Sequence, residues 1–167
     1  MDRIDAILES YERDLKRARE GECKKISRCT EFRDTFKKQY REKYSQKLEE
    51  LTRKLLARGH QAKLEERSAD DMHYGFSLSV VPRHLLTPPV DRFHPLHLRA
   101  SISFVANEHS LSIDVEMVIN PNVENSESAP IEKIPRQQFS EEWMERKIAE
   151  FLQKVFDRTI VLDFRQG

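Results

Sequence analysis

The chain has 167 residues, of which 35% are charged and 38% are apolar, and its formal net charge is zero. This length fits one compact domain with an appended helix, and the periodic placement of the apolar residues excludes a disordered chain. A neutral chain is not drawn as a whole to nucleic acid or to a membrane, and no window approaches the run of about 18 apolar residues that a membrane span needs.

The long N-terminal segment, residues 1–58, has the pattern of an amphipathic helix. Its apolar residues alternate at spacings of four and three, which is typical of a coiled-coil seam: Ile4, Leu8, Tyr11, Leu15, Ala18, Cys29, Phe32 and Phe36. Such a helix is roughly 80 Å long, whereas a globular remainder of ~110 residues has a radius of gyration of about 13 Å. We therefore predict that a second copy of the chain covers this seam in a homodimer.

Gly21 lies inside this helix and leaves two arrangements open. A glycine costs about 1 kcal/mol relative to alanine within a helix, so the chain could fold back there, with residues 3–20 against residues 28–58. The residues around Gly21 are good helix formers, and the seam frame continues through Glu22 and Lys25, which favours one continuous helix. The hairpin would remove the need for a second copy, whereas the continuous helix requires one.

The second half of the helix changes its spacing. The apolar residues from Phe32 to Leu48 are four apart, and each step of four overshoots a full turn by about 40°, so this apolar stripe drifts around the helix. Because its aromatic rings suit a flat sheet better than a narrow seam, we expect residues 36–58 to dock on a globular domain of residues 59–167. Gly59 is expected to end the helix, because glycine adopts a positive φ at no steric cost.

Alternation of apolar and polar residues after Gly59 predicts an antiparallel sheet of four or five strands. Residues 60–67 are a weak candidate for the first strand. In the next strand the even-numbered residues from Tyr74 to Val80 face one way, with Ser77 and Ser79 opposite. A proline-rich loop, residues 82–95, follows.

A hairpin is predicted around Glu108 and His109. Its apolar residues are even-numbered before the turn and odd-numbered after it. An antiparallel pair keeps both sets on one face only if the loop has an even length, because a slip of one residue moves every side chain to the other face. A two-residue loop of Glu108 and His109 satisfies this condition and pairs Phe104 with Ile113.

The C-terminal part is predicted to contain a polar loop, residues 120–138, and a helix that begins after Ser140 as its N-cap. Ile160, Leu162 and Phe164 suggest a short final strand. The fold class is therefore α+β, with a long N-terminal helix of coiled-coil type, an antiparallel sheet and a C-terminal helix packed on that sheet.

A basic stretch, residues 24–47, contains nine basic and three acidic residues. Together with Tyr40 and Tyr44, its cations match the mixture of charge and aromatic rings that holds a phosphate backbone and stacks on bases. The candidate phosphate contacts are Lys37, Lys38, Arg41, Lys43 and Lys47. The alternatives are a core stripe of aromatic residues with a solvated basic flank, and a surface for an acidic protein partner.

An acidic hairpin and the loop of residues 82–95 form a predicted surface for a protein partner. Residues 100–132 contain six acidic residues and no lysine or arginine, while the loop contains more apolar residues than a solvated loop needs. The residues assigned to this surface are Leu85, Leu86, Val90, Phe93, Glu108, Asp114 and Glu116. The alternatives are an ordinary solvated sheet face and a loop packed over the sheet edge.

The polar face of the sheet gathers serines beside carboxylates, which could line a ligand site. No Gly-x-Ser-x-Gly sequence or glycine-rich turn accompanies them, so we predict no catalytic residue and no cofactor. His84, His94 and His97 leave metal binding open against the alternative of scattered surface histidines.

Cys23 and Cys29 are the only cysteines, and six residues apart on one helix they point in different directions. We expect two reduced thiols in a cytoplasmic protein.

Three hypotheses for function follow from these patterns. The first is a non-catalytic, homodimeric interaction or scaffold protein that associates through its N-terminal helix and binds another protein with the acidic hairpin and the loop. The second is a nucleic-acid-associated protein that uses residues 24–47. The third is a small-molecule-binding or enzymatic α+β domain.

Overall fold

The computed structural model describes residues 3–67, 73–83, 100–119 and 132–166. Helix α1 (Arg3–Gln39) continues through a π-helical turn (Tyr40–Tyr44) into helix α2 (Ser45–Ala57). Within these ranges five strands and a final helix follow: β1 (Gln61–Arg67), β2 (Gly75–Val81), β3 (Ala100–Asn107), β4 (Ser112–Val118), β5 (Glu132–Pro135) and α3 (Glu141–Gln166). The strands form one antiparallel sheet in chain order, which confirms the predicted α+β fold.

The helix does not break at Gly21. Helix α1 runs through this residue without interruption, and beyond the adjacent residues and the helix backbone no described atom lies within 4 Å of the position that a Cβ would occupy. The alternative of a helical hairpin is therefore wrong. The cost of about 1 kcal/mol for one glycine is too small to end a helix whose neighbouring residues, among them Glu20, Glu22 and Lys24, all favour the helical state.

The π-helical turn explains how a stripe with steps of four stays on one side. In a π-helix the hydrogen bonds run from i to i+5, so each residue turns the chain by less than it does in an α-helix. The turn at Tyr40–Tyr44 therefore offsets the drift of about 40° per step. As a result Phe36, Tyr40, Tyr44 and Leu48 are all buried.

Gly59 ends the helix as predicted. Its φ is +89°, and the amide of His60 donates to the carbonyl of Leu55 while the amide of Gly59 donates to that of Leu56. This pair of bonds is the Schellman motif, which satisfies carbonyls that the last turn would leave without a partner. The motif reverses the chain so that β1 begins two residues later.

The core lies between one face of the sheet and three helical segments. Phe36 stacks on Phe76 with ring centroids 5.6 Å apart and meets Phe139 edge-on at 5.5 Å. Helix α3 contributes Met144 and Phe151, which are fully buried in the same cluster. The docking predicted for residues 36–58 is confirmed.

The loop of the hairpin between β3 and β4 has an even length, as predicted, but it has four residues, 108–111, instead of two. Asn107 pairs with Ser112, so Phe104 lies opposite Val115 rather than Ile113. The side chain of Asn107 holds this wider turn, because its Oδ1 accepts the amides of His109 and Ser110 at 3.1 and 3.3 Å. A shift of two keeps every side chain on its predicted face.

Two predictions about the C-terminal part are wrong. Residues 132–135, placed in a polar loop, form β5, where Ile134 is buried against the core. The final strand over Ile160, Leu162 and Phe164 is absent, because α3 extends to Gln166. No glycine or proline lies between Asp157 and Gln166, so nothing in this stretch of the sequence stops a helix that is already anchored by its buried residues.

Ser140 caps α3 as predicted. Its Oγ accepts the amide of Trp143 at 3.1 Å. Phe139, just before the cap, and Met144, in the first turn, are both buried in the core cluster, as a hydrophobic staple requires. The cap therefore fixes where α3 enters the helical layer.

Candidate functional site

The N-terminal half of α1, residues 3–28, presents apolar side chains to solvent and is called the free half below. Ile4, Leu8 and Tyr11 of the predicted seam are 63%, 54% and 62% exposed. Leu15 is half-buried and Ala18 is exposed. At 1.5 Å per residue this half of the helix is roughly 39 Å long. Because large exposed apolar patches are uncommon on monomeric proteins, the free half is the candidate interaction site.

The free half ends where the hairpin between β3 and β4 meets the helix. The thiol of Cys29 donates to the backbone carbonyl of Glu108 at 3.0 Å, and Nη1 of Arg33 lies 3.5 Å from Oε1 of the same residue. Phe32 and Phe36, predicted for the interface with a second copy, are instead 6% and 0% exposed in the core of the single chain. The flat sheet accommodates their rings, which removes both residues from the seam.

Four of the five candidate phosphate contacts in the basic stretch have a partner within the chain. Ion pairs join Arg41 to Glu66 at 3.2 Å and Lys47 to Glu145 at 3.6 Å. The ammonium group of Lys37 lies 5.8 Å from the centre of the Tyr74 ring. The remaining candidates are Lys38, which approaches Glu42 at 4.0 Å, and Lys43, which is exposed.

The tyrosines of this stretch point into the core. Tyr40 and Tyr44 are 5% and 4% exposed, and burial together with the nearby Glu66 raises the pKa of Tyr40 to about 12. Burial is also the main cause that raises the pKa of Tyr44. Rings in these positions do not stack on bases, so the aromatic part of the nucleic-acid hypothesis has no support in the described structure.

Tyr74 closes the edge of this core with a polar contact. Its hydroxyl donates to Oε1 of Glu66 at 2.8 Å, and the same oxygen accepts from Nε of Arg41. Burial first, and then the hydrogen bond to Glu66, raise the pKa of Tyr74 well above its usual value. The guanidinium of Arg41 is therefore paired with the same carboxylate that accepts the hydrogen bond of Tyr74.

The face of the sheet that points away from the helices carries a row of serines between carboxylates. Ser77 lies directly opposite Ser103, with Glu65 and Glu116 as the outer neighbours in the same cross-strand row. Ser79 and Ser101 form the adjacent pair.

A polar cluster at the end of this face was not predicted. The rings of His73 and His109 are 6.1 Å apart, and Nδ2 of Asn107 donates to Oδ2 of Asp114 at 3.0 Å. Nδ1 of His73 and Oδ1 of Asp114 are buried without a hydrogen-bond partner. The only signal in the sequence is that His73 precedes β2 and His109 follows β3, which an antiparallel pair brings to one end.

A cleft between α2 and α3 was also not predicted. It has a volume of about 150 Å³, and Leu51, Ile148 and Leu152 line its apolar floor. The ion pair of Lys47 with Glu145 lies beside it. Sequence patterns indicate that both helices pack on the sheet, but they do not show how far apart the two helices lie.

The other predicted site residues divide into two groups. Asp114 and Glu116 lie on the polar face of β4, where Glu116 is exposed, whereas Glu108 is half-buried against α1. Leu85, Leu86, Val90 and Phe93, together with His84, His94 and His97, lie outside the described residues. Within the described ranges no three His, Cys, Asp or Glu side chains are grouped to hold a metal ion.

The helices in the described part of the chain include none that is long and apolar enough to cross a membrane. No protein-family model matches the chain, and comparison with curated proteins and with solved structures finds no significant match.

Proposed function

We propose that the protein is a non-catalytic, homodimeric interaction or scaffold protein of the cytoplasm that associates through the free half of α1. The observation that carries this proposal is the exposed apolar seam of Ile4, Leu8 and Tyr11 on a helix that continues into the core. The seam has the spacing of a coiled coil, and the structure leaves it outside the core that the same chain builds.

The energetics of the helix support a second copy as the cover. In proteins most helical stability comes from packing of an amphipathic face rather than from intrinsic propensity. The free half has little such packing, and burying one leucine or isoleucine side chain is worth about 1.5–3 kcal/mol. Association would therefore stabilise both the seam and the helical state of residues 3–28.

The polar face of β4 supports a second role as a surface for a basic protein partner. Glu116 is exposed beside the serine row, and residues 100–119 contain no lysine or arginine, while Lys133 of β5 lies opposite Asp114 in the neighbouring row. This face points away from the helices. A dimer that associates through the free half of α1 would therefore present two copies of it.

A pair of charge-matched variants tests the proposal. Leu8→Asp with Leu15→Asp places charges in the seam and should make the protein monomeric, with reduced helical circular dichroism. Ala6→Asp with Ser10→Asp adds the same charge on the opposite side of the helix and should leave the dimer intact. The mass from light scattering is the readout, with twice the 19.8 kDa of one chain expected for the wild type and for the control.

Two results would contradict the proposal. One is a wild-type protein with the mass of a single chain at concentrations of tens of micromolar. The other is a seam variant that remains dimeric, which would place the interface elsewhere.

A further inference from the structure

The apolar seam of the free half and the buried stripe from Cys29 to Phe36 lie on nearly the same side of α1. At about 100° per residue, the mean direction of Ile4 to Ala18 differs by only about 50° from that of Cys29 to Phe36. The second of these stripes packs on the chain's own sheet. The globular domain therefore stands on the side of the helix that a second copy must approach.

This placement leaves no room for two parallel helices. Paired helices lie about 8–10 Å apart, and a sheet of five strands is about 20 Å wide at a spacing of about 4.8 Å. In a parallel dimer both sheets would occupy the space between the two helices at the same level. The two sheets would then hold the helices well beyond contact distance.

We infer that the two copies pair antiparallel through their free halves, with Leu15 of each copy opposite Ala18 of the other. This inference rests on the proposed homodimer. The two globular domains then lie at opposite ends of the pair, where Ile4 of the neighbouring helix reaches the level of Cys29. The same side of α1 is covered first by the second copy, from Leu8 to Lys25, and then by its own sheet.

The polar residues of the seam agree with this orientation. In a parallel dimer Glu22 would face Glu22 of the second copy, and Lys25 would face Lys25, so like charges would meet within the seam. In the antiparallel register Glu22 lies opposite Tyr11 and Lys25 lies opposite Leu8. The aliphatic stems of both charged residues can then cover apolar surface while their ends reach water.

Flanking charges give the second copy complementary partners. In the antiparallel register Glu12 of each copy meets Arg19 of the other, and the twofold symmetry forms this pair twice. Asp14 and Arg19 would form a corresponding pair in a parallel dimer, so these charges favour self-association in general. The position of the sheet and the like charges of the seam select the antiparallel sense.

Distances between spin labels in the full chain test the orientation. Ala6→Cys and Arg17→Cys are labelled separately in a background of Cys23→Ser with Cys29→Ser, which keeps a donor for the carbonyl of Glu108. In the antiparallel pair the two copies of residue 6 lie about 30 Å apart along the axis, and the two copies of residue 17 only about 2 Å apart. Light scattering confirms that each labelled protein has the mass of the wild type.

The expected result is a distance at residue 6 that exceeds the distance at residue 17 by more than about 10 Å. Similar distances at both positions would overturn the antiparallel sense and leave the homodimer standing. Absence of dipolar coupling at both positions, with the mass of a single chain, would overturn the homodimer itself.

Discussion

The free half of the N-terminal helix and its docked half, residues 29–57, carry similar apolar content but use it differently. Ile4, Leu8 and Tyr11 are more than half exposed, whereas Phe36 and Leu48 are at most 1% exposed. The halves differ in spacing and in side-chain size. Steps of four with aromatic rings, carried through a π-helical turn, fit the sheet, while alternating steps of three and four with aliphatic residues fit another helix.

This difference shows that amphipathicity alone does not say what covers a helix. One helix can pack into the core of its own domain at one end and stay exposed to solvent at the other. The boundary lies at Cys29 and Arg33, where the loop of Glu108 contacts α1. The following variants test that boundary in order of decreasing effect.

Truncation of one apolar side chain on each side of the boundary should give very different losses of stability. Phe36→Ala removes a fully buried ring that contacts Phe76 and Phe139, and should lower the free energy of unfolding by about 3–5 kcal/mol. Leu8→Ala, measured at a concentration where the protein is monomeric, should change it by less than about 0.5 kcal/mol. Urea unfolding followed by the fluorescence of Trp143, the single tryptophan, gives both values.

Equal losses for these two variants would contradict the division of the helix. A large effect of Leu8→Ala in the monomer would mean that the free half is packed on its own domain.

Two glycines of the helical segment should respond to alanine with opposite signs. Gly59 has a φ of +89°, so Gly59→Ala strains the C-terminal turn and should cost about 1 kcal/mol or more. Gly21 lies in open helix with no atom near its Cβ position, so Gly21→Ala should gain up to about 1 kcal/mol of helix stability. Circular dichroism at 222 nm during thermal unfolding measures both changes.

A loss of helical signal in Gly21→Ala would show that this glycine is required for a bend or a close approach. That outcome would favour a fold-back of residues 3–20 over the continuous helix.

The smallest effect at neutral pH is expected for Tyr40→Phe. The folded protein raises the pKa of this hydroxyl to about 12, above the value of about 10 for an unfolded chain. Its contribution to stability is therefore complete below pH 10 and is lost as the pH rises from 10 to about 12. Tyr40→Phe should lose less stability than the wild type across this window, as measured by urea unfolding at each pH.

An identical alkaline loss in both proteins would contradict the burial of Tyr40. Equal stability at neutral pH, within about 0.5 kcal/mol, is the internal control.

The sequence predicts those parts of the fold that depend on local patterns. The helix end at Gly59, the cap at Ser140 and the alternation of β2 to β4 follow from backbone preferences and burial within a few residues. The hairpin register was harder, because loops of two and four residues satisfy the same alternation and only the side chain of Asn107 selects the wider turn. The extent of α3 was not predicted. The alternation of Ile160, Leu162 and Phe164 suggests a strand, but a helix that no glycine or proline interrupts continues through them.

The candidate site was predictable only in part. Spacing identified the exposed seam, but it could not show that Phe32 and Phe36 belong to the core, because one stripe continues across the boundary. The pairing of Arg41 with Glu66 and the clustering of His73 with His109 depend on strands that are distant in sequence. Such contacts require the sheet topology before any local pattern can indicate them.

Sedimentation velocity of the wild-type chain, combined with its mass at equilibrium, tests the central claim most directly. Two copies joined through their free halves predict a mass of twice 19.8 kDa and a high frictional ratio, because the domains lie at opposite ends of the helical pair. A compact particle with the mass of one chain would contradict the account.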